Sequence, residues 1–168
     1  MARLLNSHAI PSFPMKPIAN HLFFAWAETE LSDGRSVRFR VKGVSMTPLI
    51  RDGRDEVIVY PCTPHELAPM DVVLFRYNDK HLLHRIISRD GDNLLLQGDG
   101  SLVAQERCHV TDVVGKVHTV VRPTGREVSV ESWRWRFLSR LWCNLGPFRR
   151  ILLRILRIVE RVEKVERV

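Results

Sequence analysis

A serine hydroxyl becomes a nucleophile only when a nearby base accepts its proton. The residues of interest are therefore hydroxyls held in stiff turns and bases held close to them. In VKGVSMTPLIRDG, residues 41–53, Ser45 stands between Gly43-Val44 and Met46-Thr47-Pro48. Glycine permits close backbone approach, and proline fixes φ and removes a donor. That punctuation suits a turn presenting one side chain, and equally an ordinary strand end. Among the seven histidines, His84 lies inside an apolar run, HLLHRII. On a strand of period two, Leu82, His84 and Ile86 share one face, and His81, Leu83 and Arg85 share the other. Aliphatic neighbours favour the neutral imidazole, the form that accepts a proton. Alone, such a histidine reads as a satisfied core residue and such a serine as a turn hydroxyl. Together they are candidates for a base and its nucleophile.

The elements that must hold them follow from periodicity. Residues 1–17, with Pro11, Pro14 and Pro17, read as an irregular arm. Ile18 to Leu31 is predicted helical, with Ile18, Leu22, Ala25 or Trp26, and Thr29 at helical spacing before Ser-Asp-Gly. From Arg35 the period becomes two: Val37, Phe39 and Val41 alternate with Arg38, Arg40 and Lys42. DEVIVYP, PMDVVLFRYND, KHLLHRIISRD, NLLLQGD, TDVVGKVHTVVRP and EVSVE continue the series, with a two-residue hairpin turn at Asn78-Asp79 and an Asp-Gly turn at 90–91. Six or seven short strands between turn residues predict an all-β body ending near Val130. Three regions result: an arm and helix over 1–34, a β catalytic domain over 35–132, and a basic amphipathic helical tail over 133–168.

The order of motifs, GVSMTP…DG, a DVVLF strand, LLHRI and then LQGD, resembles the signal peptidase I family, whose scaffold also serves LexA/UmuD-type self-cleaving peptidases. The resemblance covers about residues 36–120 and implies a mainly β, signal peptidase/LexA-like β-ribbon fold with a short N-terminal helix and a C-terminal amphipathic helical tail. It places Ser45 at the nucleophile and His84 where bacterial members carry a general-base lysine; histidine there resembles the endoplasmic-reticulum and archaeal type. Asp99, in the segment that matches the family's G-D-N motif, is implied as the acid that orients the imidazole. The Ser45 N–H is the expected oxyanion donor. Gly43, Val44, Met46 and Pro48 are expected to set the turn and shape a small apolar substrate pocket. Three departures stand out. Gly43 replaces the hydroxyl that many bacterial members use in the oxyanion hole. GDG replaces G-D-N/A. Gln105, with Glu106 beside it, stands where many relatives have a second acid. The implied activity is serine endopeptidase cleavage of leader or signal segments of peptide or protein precursors after small residues, through a Ser-His(-Asp) mechanism. No cofactor is implied.

Composition narrows the partners. The chain has 168 residues, 45% hydrophobic and 27% charged, as a globular protein has. Its formal charge of +7 belongs to the tail, where ten Arg and Lys face three Glu; residues 1–132 are neutral. Cys62, Cys108 and Cys143 are scattered, with no CxxC, which argues against a disulfide framework; the Cys and His residues also lack metal-ligand spacing. No transmembrane run or secretory signal is evident, so the expected location is cytoplasmic or peripheral at the membrane. In the tail, Phe148, Ile151, Leu152, Ile155, Ile158 or Val159, Val162 and Val165 follow a helical rhythm with arginines on the other face. Such a helix can fold back on the body, pair with another copy in a homo-oligomer, or lie on a membrane. A nucleic-acid partner is disfavoured, because the arginines are not interleaved with exposed stacking aromatics. Two rival readings remain: a catalytically inactive peptidase-fold binding module, and a LexA-type self-cleaving regulator. The latter requires an Ala-Gly or Cys-Gly bond ahead of the serine, and the sequence has neither.

Overall fold

Alternation of period two, interrupted by turn residues, builds the dominant element, an eight-stranded sheet with antiparallel pairings throughout. The computed structural model describes residues 20–146 and 148–165, with the backbone alone for Asn20, His21, Arg157 and residues 159–165. The arm expected over residues 1–17 lies outside them. Helix α1 (Asn20–Ser32) leads into strands β1 (Val37–Arg40), β2 (Glu56–Tyr60), β3 (Val72–Tyr77), β4 (Lys80–Asp90), β5 (Asn93–Gln97), β6 (Glu106–His109), β7 (Val113–Val121) and β8 (Glu127–Ser129). The order across the sheet is β1-β2-β7-β3-β4-β5-β6, with β8 beside β7. The β3–β4 turn has φ of 45° at Asn78 and 58° at Asp79. Two consecutive left-handed residues give the twist a two-residue hairpin needs, and Asn and Asp tolerate it best after glycine.

Both faces of the central strands are covered. On β3, Val72 and Leu74 join a core with Ala27 and Leu31 of α1, Val57 and Val59 of β2, and Val117 and Val120 of β7. Val73 and Phe75 point the other way, into a second core with Ile86, Leu94, Leu96 and Cys108. The pattern on β4 is as periodicity predicts. Leu82 and Ile86 belong to the second core and Leu83 to the first. A register shift between Ile86 and Ser88 interrupts the β4–β5 ladder just beyond His84 and Arg85. Such bulges bend a strand and re-aim its side chains.

The body is thus the mainly β fold that the sequence predicts, with a short N-terminal helix and C-terminal helices. Strand β6 is an addition to the expected set. The tail forms α2 (Trp133–Asn144) and α3 (Phe148–Val165). Ser132 caps α2, its hydroxyl accepting from Trp135 N–H at 3.3 Å. Trp135 enters the first core, and α2 turns Trp135, Ser139 and Trp142 inward at i, i+4 and i+7. The tail therefore begins as a layer packed on the sheet.

Candidate active site

Ser45 lies on the long connection between β1 and β2. Its neighbour Met46 and the following Ile50 are fully buried in the first core, and Ile50 N–H donates to Met46 O at 3.0 Å. These two anchors hold the segment down while Ser45 stays half-buried and Val44 exposed. Gly43 has φ +96° and donates its N–H to Asp52 Oδ1 at 2.9 Å. A side chain is strained in that conformation, which suits glycine at this position. The Ser45 N–H donates to no acceptor among the described residues. Pro48 follows a cis peptide bond.

The base comes from the middle of the sheet. His84 on β4 is buried at the edge of the second core, its ring 5.9 Å from that of Phe75. Pairing of Arg85 with Gln97 brings the end of β5 alongside, so that Gly98 and Asp99 pass between β4 and the serine loop. Gly100 N–H donates to Ser45 O at 2.7 Å, joining the two loops. Gly98 is a tight point beside the imidazole. A Cβ there would lie 2.5 Å from Ser45 O, 3.1 Å from His84 Nε2 and 3.2 Å from the Ser45 carbonyl carbon. The imidazole Nε2 and the serine carbonyl thus both pack against Gly98, so closely that no side chain fits at this position. Among the described residues the Ser45 hydroxyl makes no hydrogen bond to His84; without substrate such contacts are commonly longer than in the reacting complex.

The other ring nitrogen has a partner. His84 Nδ1 lies 2.8 Å from Glu106 Oε2, at the start of β6. The register Ile86–Leu96–Glu106 across β4, β5 and β6 delivers this carboxylate. A carboxylate only accepts, which puts a proton on Nδ1; in the neutral ring the lone pair is then on Nε2, the nitrogen beside Gly98. Asp99, expected to orient the imidazole, does not meet it. Its carboxylate is held by Arg85, with Nε to Oδ1 at 2.8 Å and Nη2 to Oδ2 at 2.7 Å. Arg85 also donates from Nη1 to Met70 O at 2.8 Å. The reason is strand geometry: His84 and Arg85 are consecutive and point to opposite faces, and Asp99 arrives on the arginine's side. Burial opposes the charge of Arg85, and the Asp99 carboxylate more than offsets it, holding the guanidinium above its usual pKa. Met46 is also displaced from its expected role. With no exposed surface it cannot line a substrate pocket, and serves as the loop's anchor.

The tail completes the far wall. Trp142 Nε1 on α2 donates to Asp99 O at 2.9 Å. Arg149 on α3 donates to the same oxygen from Nε and Nη2, and from Nη2 to Gly98 O at 3.0 Å. Its guanidinium lies 5.5 Å from the Trp142 ring centre. Arg85, Trp142 and Arg149 together bind every oxygen of Asp99 and fix the Gly98–Asp99 backbone beside His84. Sequence reasoning missed all three, and Glu106. The one signal in reach was Glu106 itself, next to Gln105, where the motif resemblance implies an acid.

A turn-borne serine and a carboxylate-held imidazole thus meet at one glycine on an antiparallel β-sheet body. Residues 7–118 match the family model Peptidase S24-like, and the chain belongs to that family, within the signal peptidase/LexA superfamily. No curated protein matches the chain.

Proposed function

We propose that the chain is a serine endopeptidase acting on leader or signal segments of peptide or protein precursors, with Ser45 as nucleophile, His84 as general base and Glu106 as the acid that positions the imidazole. One observation carries the reading. His84 Nε2 and the Ser45 carbonyl both pack against Gly98, with no room for a side chain there, while Nδ1 is tied to Glu106. In the acylation step Ser45 Oγ bonds to the scissile carbonyl carbon as its proton passes to Nε2. The carbonyl electrons move to oxygen, where the Ser45 N–H would stabilise them; losing one such donor costs about 100-fold or more. Nε2 then gives the proton to the leaving amine as the C–N bond breaks, and a water repeats the cycle to free the acid. Glu106 keeps the ring in one orientation and stabilises the transient imidazolium. The preference for small residues before the cut, and kinship with the histidine-using branch of signal peptidases, rest on the motif resemblance.

Purified full-length chain incubated with an Ala-x-Ala leader peptide should yield two products, and Ser45→Ala or His84→Ala should lower the rate about 10³-fold or more. The mass of the protein itself, followed in the same tubes, separates the alternatives. Serine-dependent loss of mass with an untouched leader would identify a self-cleaving regulator. An unchanged leader and an unchanged protein would leave a binding module, and the proposal would fail.

A further inference from the structure

Helices α2 and α3 each present two faces, and one is already used. Trp135, Ser139 and Trp142 of α2, and Arg149 and Leu153 of α3, are buried against the body. The opposite faces carry Trp133 and Phe137 on α2, and Phe148, Ile151, Ile155 and Ile158 on α3, all more than half exposed. With their inner faces occupied, the helices cannot roll these side chains into the core. Exposed arginines flank them: Arg134, Arg136 and Arg140 on α2, Arg150 and Arg154 on α3. Between residues 132 and 159 the sequence has seven arginines and no acidic residue.

That charge decides the occupant. A second copy docking through the same face would set these five exposed arginines against five, with no carboxylate between residues 132 and 159 to separate them. An anionic bilayer offers the complementary sign together with an apolar layer at the depth these side chains reach. Aromatic residues such as Trp133 and Phe137 suit the headgroup boundary. No helix among the described residues is long and apolar enough to cross a membrane, so the fitting geometry is a helix pair lying in the surface plane. We propose that the outer face of α2 and α3 docks the protein on an anionic lipid surface, with its apolar side chains at the headgroup–acyl boundary and its arginines on lipid phosphates. The proposal does not rest on the peptidase reading, and Ser45→Ala protein should bind lipid as the wild type does.

The test is flotation of the full chain with phosphatidylcholine vesicles, with and without phosphatidylglycerol. At low salt, phosphatidylglycerol should raise the bound fraction about tenfold, and added salt should reverse the gain as screening shortens the reach of the arginines. Phe137→Ser, Ile151→Ser and Ile155→Ser combined should lower vesicle partition about tenfold or more by removing apolar insertion. The melting temperature should hold, because these side chains are already in water. Arg150→Glu with Arg154→Glu should abolish the preference for phosphatidylglycerol. Folded wild-type protein that stays at the bottom of the gradient in every mixture would overturn the proposal. So would a stoichiometric dimer that the serine substitutions dissociate, since the face would then belong to a second copy.

Discussion

Glu106 meets the imidazole of His84, and Asp99 meets the guanidinium of its neighbour Arg85, so the two carboxylates beside the site have different work. The Arg85–Asp99 pair is almost wholly buried. Removing one member of such a pair leaves the other charge unpaired in the interior, at a cost of about 3–5 kcal/mol. Asp99→Ala should therefore shift the denaturant midpoint strongly downward. Glu106→Gln should leave that midpoint near the wild type but reduce kcat towards leader peptide about 10² to 10⁴-fold with little change in KM, because an amide can donate as well as accept and neither fixes the tautomer nor carries the charge that stabilises the imidazolium. A stable but inactive Asp99 variant beside an active Glu106 variant would return Asp99 to the imidazole. Ser45 and His84 were legible as single residues, one from turn punctuation and one from an apolar strand. The acid was not. Spacing along a motif counts residues, whereas the choice between Asp99 and Glu106 depends on which face of β4 each carboxylate reaches.

At the scale of elements, two loops and two helices converge on Gly98 and Asp99. Arg149→Met removes the donors from α3 to both carbonyls while keeping an apolar stem over Trp142. Hydrogen bonds to charged groups contribute about 1.5–3 kcal/mol. The substitution should lower kcat about tenfold and speed amide exchange over the segment after β5, both read by kinetics and mass spectrometry. Arg149→Lys should not restore the rate, since an ammonium cannot fork across two carbonyls as a guanidinium does. An unchanged rate in Arg149→Met would reduce α3 to packing. The strands were largely readable, because alternation and turn residues such as Asn78-Asp79 act locally. Strand β6, ERCH, escaped notice: its four residues alternate too little, and its pairing partner β5 supplies what the sequence does not. The tail's helical rhythm was equally clear, but rhythm alone names two faces without saying which one docks. Here the docked face includes a buried arginine, because backbone carbonyls take up its donors.

Over the whole molecule, charge is divided between a neutral body and a basic tail, and the body's own charges are paired where they are buried. Asp55, fully buried, accepts from Arg54 Nε at 2.9 Å, Arg51 N–H at 2.9 Å and Arg122 Nη1 at 2.6 Å, joining the serine loop to the end of the sheet. Burial raises its carboxyl pKa, and the bonds from Arg54 and Arg51 with the charge of Arg122 outweigh that, leaving it below the usual range. A folded pKa below the unfolded value of about 3.9 means that the stabilisation is complete above that pH and drains away as pH falls towards the folded pKa. The melting temperature should therefore be level near neutrality and drop below about pH 4. Asp55→Asn should flatten that acid slope while lowering the plateau; an unaltered slope would assign it to other carboxylates. The brace that Trp142 and Arg149 place on Gly98 and Asp99 also has a temporal side. A ribosome releases Ser45, His84 and Glu106 well before it releases these two side chains. During synthesis the Gly98–Asp99 segment therefore emerges ahead of the two side chains that brace it.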